Sequence, residues 1–428
     1  MKRVYRIYCW LLLLLPTVVF GEERFPPPEF ESDYHAPILQ NPLPRAEWLS
    51  YLDIAVLAGA LALAAYLALK RRSRRGLFAL TAFSIAYFGF FRQGCVCPVG
   101  SIQNVALAIG QTDYALPLVT AAFFLLPLAA ALFVGRAFCA GVCPLGAAQD
   151  VVLLKPLKVP AWLEHALSVL PYVYLGAAVL FAATGSGFLI CRYDPFIAIF
   201  RLSGTPLLLG VTAGMLALGT VVGRPYCRFL CPYGVLLRWL APFARWRVSI
   251  APKECVQCHL CKDACPFGAI RTPTPAENPG GRREGKGRLA LYLLLLPVLL
   301  AAGGALGYFG GAVLSGQHTT VRVANRVWQE EHGKVQGTTL ESDAFHRHGT
   351  PLDELLQDAA AIRRQFNFGG LLLGGWIGLV VGLKLVFLSI RRRRTDYEAD
   401  PAACLACGRC YRFCPEEGAP AQVLEKIG

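Results

Sequence analysis

Residues 135–146 read GRAFCAGVCPLG, and residues 223–234 read GRPYCRFLCPYG. Six of the twelve positions are identical: Gly, Arg, both Cys, Pro and the final Gly. Each copy follows an apolar run long enough to cross a bilayer, so pairs of thiols stand twice at the end of a span. Within a helix, Cys139 and Cys143 would lie one turn apart on one face, as would Cys227 and Cys231. The Pro after each second Cys disfavours helical geometry at that Cys, and the Gly two positions further on permits a sharp reversal. Two such pairs brought together supply four thiolates. Small buried hydrophobes are the bland alternative for these Cys, but duplication of the whole motif at matched positions favours ligation. Arg136 and Arg224, just ahead of each pair, either offset the negative charge of a thiolate-bound centre or anchor the span at the interface.

The composition agrees with a membrane protein. The 428 residues are 55% hydrophobic and only 16% charged, too apolar for an ordinary soluble domain. The net charge of +14 sits in short basic clusters beside apolar runs, where retention on the cytoplasmic side explains it and no nucleic-acid partner is needed. The first residues carry Lys2, Arg3 and Arg6, then an apolar stretch and Gly21, the layout of a secretory signal over 1–21 or of a retained anchor. Residues 22–50 are rich in Pro and read as an irregular outer segment.

Seven spans follow, near 51–69, 77–93, 115–134, 165–184, 205–222, 289–310 and 369–390. With basic clusters at 70–75, 224–253, 282–288 and 391–394 held inside, the chain starts outside and ends with a cytoplasmic C-terminus in a bacterial inner membrane. On this topology Cys139, Cys143, Cys227 and Cys231 lie at inner span ends, while Cys95, Cys97 and Cys191 lie at outer ends. Asp194 or His35 would complete an outer metal site, or two of these thiols would pair as a disulfide.

Residues 255–266 (CVQCHLCKDACP) and 404–415 (CLACGRCYRFCP) both fit Cys-x-x-Cys-x-x-Cys-x-x-x-Cys-Pro, the bacterial ferredoxin run whose fourth Cys serves the other cluster. Cys255, Cys258, Cys261 and Cys414 would hold one [4Fe-4S] cluster, and Cys404, Cys407, Cys410 and Cys265 the other. Cys255 to His259 also satisfies the c-type haem motif, but attachment would consume cluster ligands and needs the outer compartment, so no haem c is expected. Zinc fits paired Cys as well, and the Cys-Pro ending favours iron-sulfur over it. The remaining thiols leave room for one or two further iron-sulfur or thiolate metal centres.

The expected fold is an all-α polytopic membrane protein of about seven spans with a small α+β ferredoxin-like bis-[4Fe-4S] module on the cytoplasmic side. Its parts are a five-span domain over 51–247, the first module half at 248–288, a two-span hairpin at 289–390 enclosing an outer loop at 315–368, and the second half at 391–428. His318, His332, His346 and His348 in that loop follow no ligand spacing beyond His346-x-His348 and read as solvated surface or a docking face.

The paired Cys-x-x-x-Cys-Pro motifs followed by tandem ferredoxin runs resemble the NapH/NosR family of bacterial membrane iron-sulfur proteins. The resemblance covers about residues 50–270, and the last Cys run in kind. It implies electron transfer between cytoplasmic donors or the quinone pool and a periplasmic redox protein such as a reductase, flavoprotein or cytochrome c. An assembly factor that uses its clusters as reductant is the related alternative, and a transmembrane thiol-disulfide relay is a different one. The chain reads as an electron-transfer component and not a stand-alone enzyme. It departs from NosR-type members in lacking the outer flavin-attachment sequence, since GTTL at 337–340 does not match, and from NapH types in its extra pair of spans.

Overall fold

The computed structural model describes residues 46–94, 97–248, 250, 257–274, 281–349, 351–390 and 394–413. The expected signal peptide, nearly all of 22–50, and His35, Cys95, Cys255 and Cys414 lie outside the described residues.

Apolar runs of spanning length form helices because no water is present in a bilayer to satisfy exposed backbone groups. Among the described residues, four stretches are long and apolar enough to cross a membrane: Glu47–Lys70, Ala161–Ala183, Gly285–Ser315 and Leu352–Ser389. A fifth arises if Pro195–Arg201 and Pro206–Val221, bent by 104°, form one broken span. The expected span at 115–134 is the shorter apolar helix Leu118–Val134, and that at 77–93 is a helix that changes from α to π form at Ile85. Between these, Pro-initiated short helices interrupt the chain: Pro98–Gly110, Pro144–Val152, Pro195–Arg201, Pro225–Phe229 and Pro232–Leu240.

The two longest helices, Gly281–Ser315 and Leu352–Ser389, pack along a glycine seam. Gly303, Gly307 and Gly311 face Gly370, Gly374 and Asn367, so closely that a Cβ on Gly307 would overlap the carbonyl oxygen of Gly370. Small residues at four-residue spacing let helix backbones approach where lipid supplies no hydrophobic drive for association.

This hairpin returns the chain to where it left. Beyond its two ends, Ile270–Arg271 and Glu398–Ala399 form a two-stranded antiparallel ladder with Ile270 opposite Ala399. Asp400 N donates to Ala269 O at 2.8 Å, Thr274 N to Arg394 O at 3.0 Å, and Arg271 pairs with Asp400 at 2.8 Å. The two Cys-rich runs are thereby held side by side although they start 149 positions apart in sequence.

In the 315–368 segment, helix Thr319–Glu331 packs near the start of Leu352–Ser389, and Leu340–His348 packs against Thr319–Glu331. His318 caps the first of them by accepting from Thr320 N, His332 lies against the Trp328 ring and carbonyl, and His346 faces Glu330 at 3.7 Å. These three histidines do not converge on one point.

Candidate metal centres

Between the two Cys-rich runs lies a pocket lined by Cys265, Cys404, Cys407 and Cys410 with Ile250, Phe267, Ile270 and Leu405 among its apolar walls. The four thiols are the ligand set assigned above to one cubane, three from one run and the fourth from the other.

The backbone of the two runs matches. Gln257 and Ala406 precede Cys258 and Cys407 with φ of 50° and 52°, and His259 and Gly408 follow with φ of 63° and 71°. Left-handed residues are costly unless they are Gly. Alternating right- and left-handed residues turn successive N–H groups into a concave anion-binding nest of the kind found at Fe–S sites. Burial pushes the Cys404 thiol up to about 12 and also raises Cys265 and Cys410. Such thiols deprotonate when a metal takes the proton's place. The donor set, the pocket and the nest therefore fit a cubane. Among the described residues no three His, Cys, Asp or Glu already stand around one point as a single ion requires. A cubane's thiolates each bind a different iron and so stand farther apart than ligands sharing one ion.

The duplicated motif breaks where its proline predicts. Cys143 (φ −73°, ψ 117°) and Cys231 (φ −62°, ψ 111°) are extended N-caps of the helices that begin at Pro144 and Pro232. The two glycines expected to reverse the chain, Gly146 and Gly234, instead sit inside those helices, where they lie against arginine. A Cβ on Gly146 would lie 3.2 Å from Arg224 Nη1, and one on Gly234 would lie 3.5 Å from Arg136 Nη2. Each copy's arginine thus packs against the other copy's glycine, tightly at Gly146 and in ordinary contact at Gly234.

Neither arginine is an interfacial anchor, since Arg136 is 3% exposed and Arg224 0%. Arg136 donates to Ala402 O at 3.0 Å and reaches Cys139 Sγ at 3.8 Å. Arg224 donates to Cys139 O, lies over the Phe267 ring, and faces Asp150 at 3.5 Å. Both link the duplicated motif to the pocket between the Cys-rich runs. Cys139, Cys143 and Cys407 share one buried core, against which Cys97, Cys231, Cys265 and Cys404 pack.

Three polar groups here were not among the residues that the sequence motifs pointed to. Gln149 Nε2 donates to Cys227 Sγ at 3.3 Å and its Oε1 accepts from Tyr226 N at 2.9 Å. Asp150 pairs with Arg74, Arg224 and Arg409. Arg74 Nη1 in turn donates to Cys407 O at 3.3 Å. Cys97, expected at the outer end of a span, packs on the same core as Cys143, and the two are close enough for their charges to interact. Cys191 is exposed.

The fold and these sites define a helical, membrane-type protein in which Cys265, Cys404, Cys407 and Cys410 line one pocket. Two 4Fe-4S binding domain families match the chain, one over 116–160 and 203–250 and the other over 248–271. The chain is 28% identical over 194 residues to an uncharacterized protein of Methanocaldococcus jannaschii, covering 42% of this chain and 77% of that one. It is 27% identical to the putative electron transport protein YccM of Escherichia coli, covering 40% of this chain and 52% of YccM. It is 30% identical to protein NirI of Paracoccus denitrificans, covering 49% of this chain and 32% of NirI. The chain thus spans about half of YccM and a third of NirI. No solved structure matches it. The domain matches and relatives together support a NapH/NosR-type membrane 4Fe-4S ferredoxin family for this chain.

Proposed function

We propose that the protein is a membrane-bound iron-sulfur electron carrier that relays electrons between cytoplasmic or quinone donors and a periplasmic redox partner. One observation carries this reading: four cysteines from runs far apart in sequence line one pocket, and Arg224 joins that pocket to the duplicated thiol motif. When bound, [4Fe-4S] clusters would supply one-electron chemistry. In this reading Cys404, Cys407, Cys410 and Cys265 hold one cluster, Cys255, Cys258, Cys261 and Cys414 a second, and Cys139, Cys143, Cys227 and Cys231 a third.

The chain's own residues would order these sites and set their environment. Arg136 and Arg224 place positive charge between the thiols of the first and third sets. Apolar walls from Phe267, Leu405 and Ile270 exclude water from the first set. Stations are needed because ~30 Å of hydrocarbon separates the two faces. The seven-span topology, an inner-membrane location and a cytoplasmic C-terminus belong to this proposal. A dithiol relay through the paired cysteines would leave the two ferredoxin runs without a role.

The test is iron and acid-labile sulfide on anaerobically purified protein. Cys407→Ala and Cys265→Ala should each remove the same cluster, about four irons, and the double variant should lose no more. Cys258→Ala should remove a different one. Unchanged iron in all three would end the cluster reading.

A further inference from the structure

The duplicated motif has a second, less obvious counterpart. Cys97-Pro-Val-Gly-Ser-Ile-Gln103 aligns with Cys143-Pro-Leu-Gly-Ala-Ala-Gln149, with Pro, Gly and Gln at the same offsets from Cys. The contacts repeat with the letters. Cys97, like Cys143, is an extended N-cap ahead of a Pro-initiated helix. A Cβ on Gly100 would lie 3.4 Å from Cys191 Sγ, as one on Gly146 would lie 3.6 Å from Cys227 Sγ. Gln103 Oε1 accepts from Ile190 N at 2.7 Å and Cys191 N at 3.2 Å, as Gln149 Oε1 accepts from Tyr226 N, one residue before Cys227.

The repeat continues to the last member. Where Cys231 precedes Pro232 and accepts from Gly234 N at 3.3 Å, Asp194 precedes Pro195 and accepts from Phe196 N at 2.9 Å. Asp194 is 3% exposed and, with Cys191, lies close enough to Cys97 to act on its charge.

The last members differ in type and spacing, Cys231 standing four residues after Cys227 and Asp194 three after Cys191, and the amides differ as well. Gln149 Nε2 donates to Cys227 Sγ and to Leu145 O, whereas Gln103 Nε2, on a side chain 0% exposed, has no partner among the described residues. Buried amides are nearly always satisfied, so a buried, unpartnered Nε2 beside Cys191 points to a ligand that accepts from it.

We propose that Cys97, Cys191 and Asp194 are ligands of a further iron-sulfur cluster, with Asp194 binding iron through oxygen where Cys231 would bind it through sulfur. Gln103 is a positioning residue that fixes the Cys191 backbone and donates to the cluster or its thiolates. Carboxylate is an accepted iron ligand, and replacing one thiolate by it alters the electronic structure of the metal centre. Because Cys97 packs on the same core as Cys143, this site would be the next station after the duplicated motif. The inference rests on the reading of Cys139, Cys143, Cys227 and Cys231 as cluster ligands.

The test uses the full chain, purified anaerobically, with iron content and EPR of the reduced protein. Cys143→Ala tests the underlying reading and should remove about four irons. Asp194→Ala should remove a different set of about four. Asp194→Cys should keep the iron but change the EPR line shape of one cluster, and Gln103→Leu should keep the iron but shift one reduction potential. If Cys143→Ala loses iron while both Asp194 variants match wild type in iron and spectrum, this site is refuted and the underlying reading stands. If Cys143→Ala loses none, the underlying reading itself fails, and this inference with it.

Discussion

Arg224 and Asp150 face each other at 3.5 Å with neither side chain exposed. Asp150 also holds Arg74 and, at 3.0 Å, Arg409. One carboxylate therefore ties the start of the helix Arg74–Ser84, the second copy of the duplicated motif and the second Cys-rich run together. Burial alone would raise this carboxyl, but Arg224 and Arg74 outweigh it and hold it lowered to about 2. Arg74 and Arg409 are 18% and 23% exposed, so Arg224 is the partner that cannot turn to water.

Asp150→Asn should therefore strand Arg224. Removing one member of a buried ion pair costs about 3–5 kcal/mol. The pH dependence has a fixed sign: a carboxyl depressed to about 2 in the folded state, from 3.8 when unfolded, stabilises the fold above the unfolded value and loses this effect as pH falls through 2. Melting of wild type and Asp150→Asn in detergent should differ most near neutral pH, and the gap should narrow on acidification below about pH 4. A gap independent of pH would mean that Asp150 acts by packing and not by charge.

The glycine seam gives a contrast within one helix. Gly307 abuts the backbone of Gly370 and Gly374, whereas Gly310 has nothing within 4 Å of a modest side chain. Gly307→Ala should push the helices apart, at about 1–3 kcal/mol for overpacking, while Gly310→Ala should be neutral or gain up to about 1 kcal/mol in helix propensity. Because the hairpin brings the two Cys-rich runs together, Gly307→Ala should also speed iron loss to a chelator. Equal chelation rates in the two variants would show that the strand ladder alone holds the runs in place.

Much of this site was legible in the sequence, and the parts that were not have identifiable causes. The break at Cys143 and Cys231 followed from the proline after each. The pairing of Cys265 with Cys404, Cys407 and Cys410 followed from the spacing of the runs. Gly146 and Gly234 invited a turn because glycine permits one, but both lie inside helices against an arginine 78 or 98 positions away in sequence, Arg224 and Arg136 respectively, and the fit is tight at Gly146. Asp150 gave no signal because a single carboxylate acquires its role only when three arginines from separate segments converge on it. Gln103 and Gln149 were within reach, six residues after their Cys, had the two Cys-Pro helices been compared with each other. Among the described residues four stretches reach spanning length by themselves, whereas Pro-initiated half-length helices divide other apolar runs, so apolar length marked the runs but not their breaks.

Ala406 adopts φ 52° in the second run where the neighbouring Gly408 adopts 71°. A left-handed non-Gly residue costs about 1–2 kcal/mol, so Ala406→Gly should stabilise the protein or leave it unchanged and keep full iron content. Gly408→Val should do the opposite, with loss of about four irons, because a β-branched residue resists this geometry. Iron assays on the two variants check the nest directly, and retention of all iron in Gly408→Val would remove the backbone's role in binding.

Gln149 offers the sharpest test of electronic tuning. Its Nε2 lies 3.3 Å from Cys227 Sγ, and hydrogen bonds to ligand sulfur raise a cluster's reduction potential by stabilising the more negative reduced state. Gln149→Leu should keep iron content and lower one cluster's potential in an EPR-monitored redox titration. The substitution also leaves Tyr226 N without an acceptor, which should cost about 1–3 kcal/mol of stability. Gln149→Glu separates the two effects: its oxygen can still accept from Tyr226 N, but an ionised carboxylate has nothing to donate to Cys227. It should therefore lower the potential at least as far as Gln149→Leu while retaining more of the stability. A potential unchanged in both variants would mean that Gln149 serves the fold alone and that Cys227 is not a ligand of a redox-active cluster.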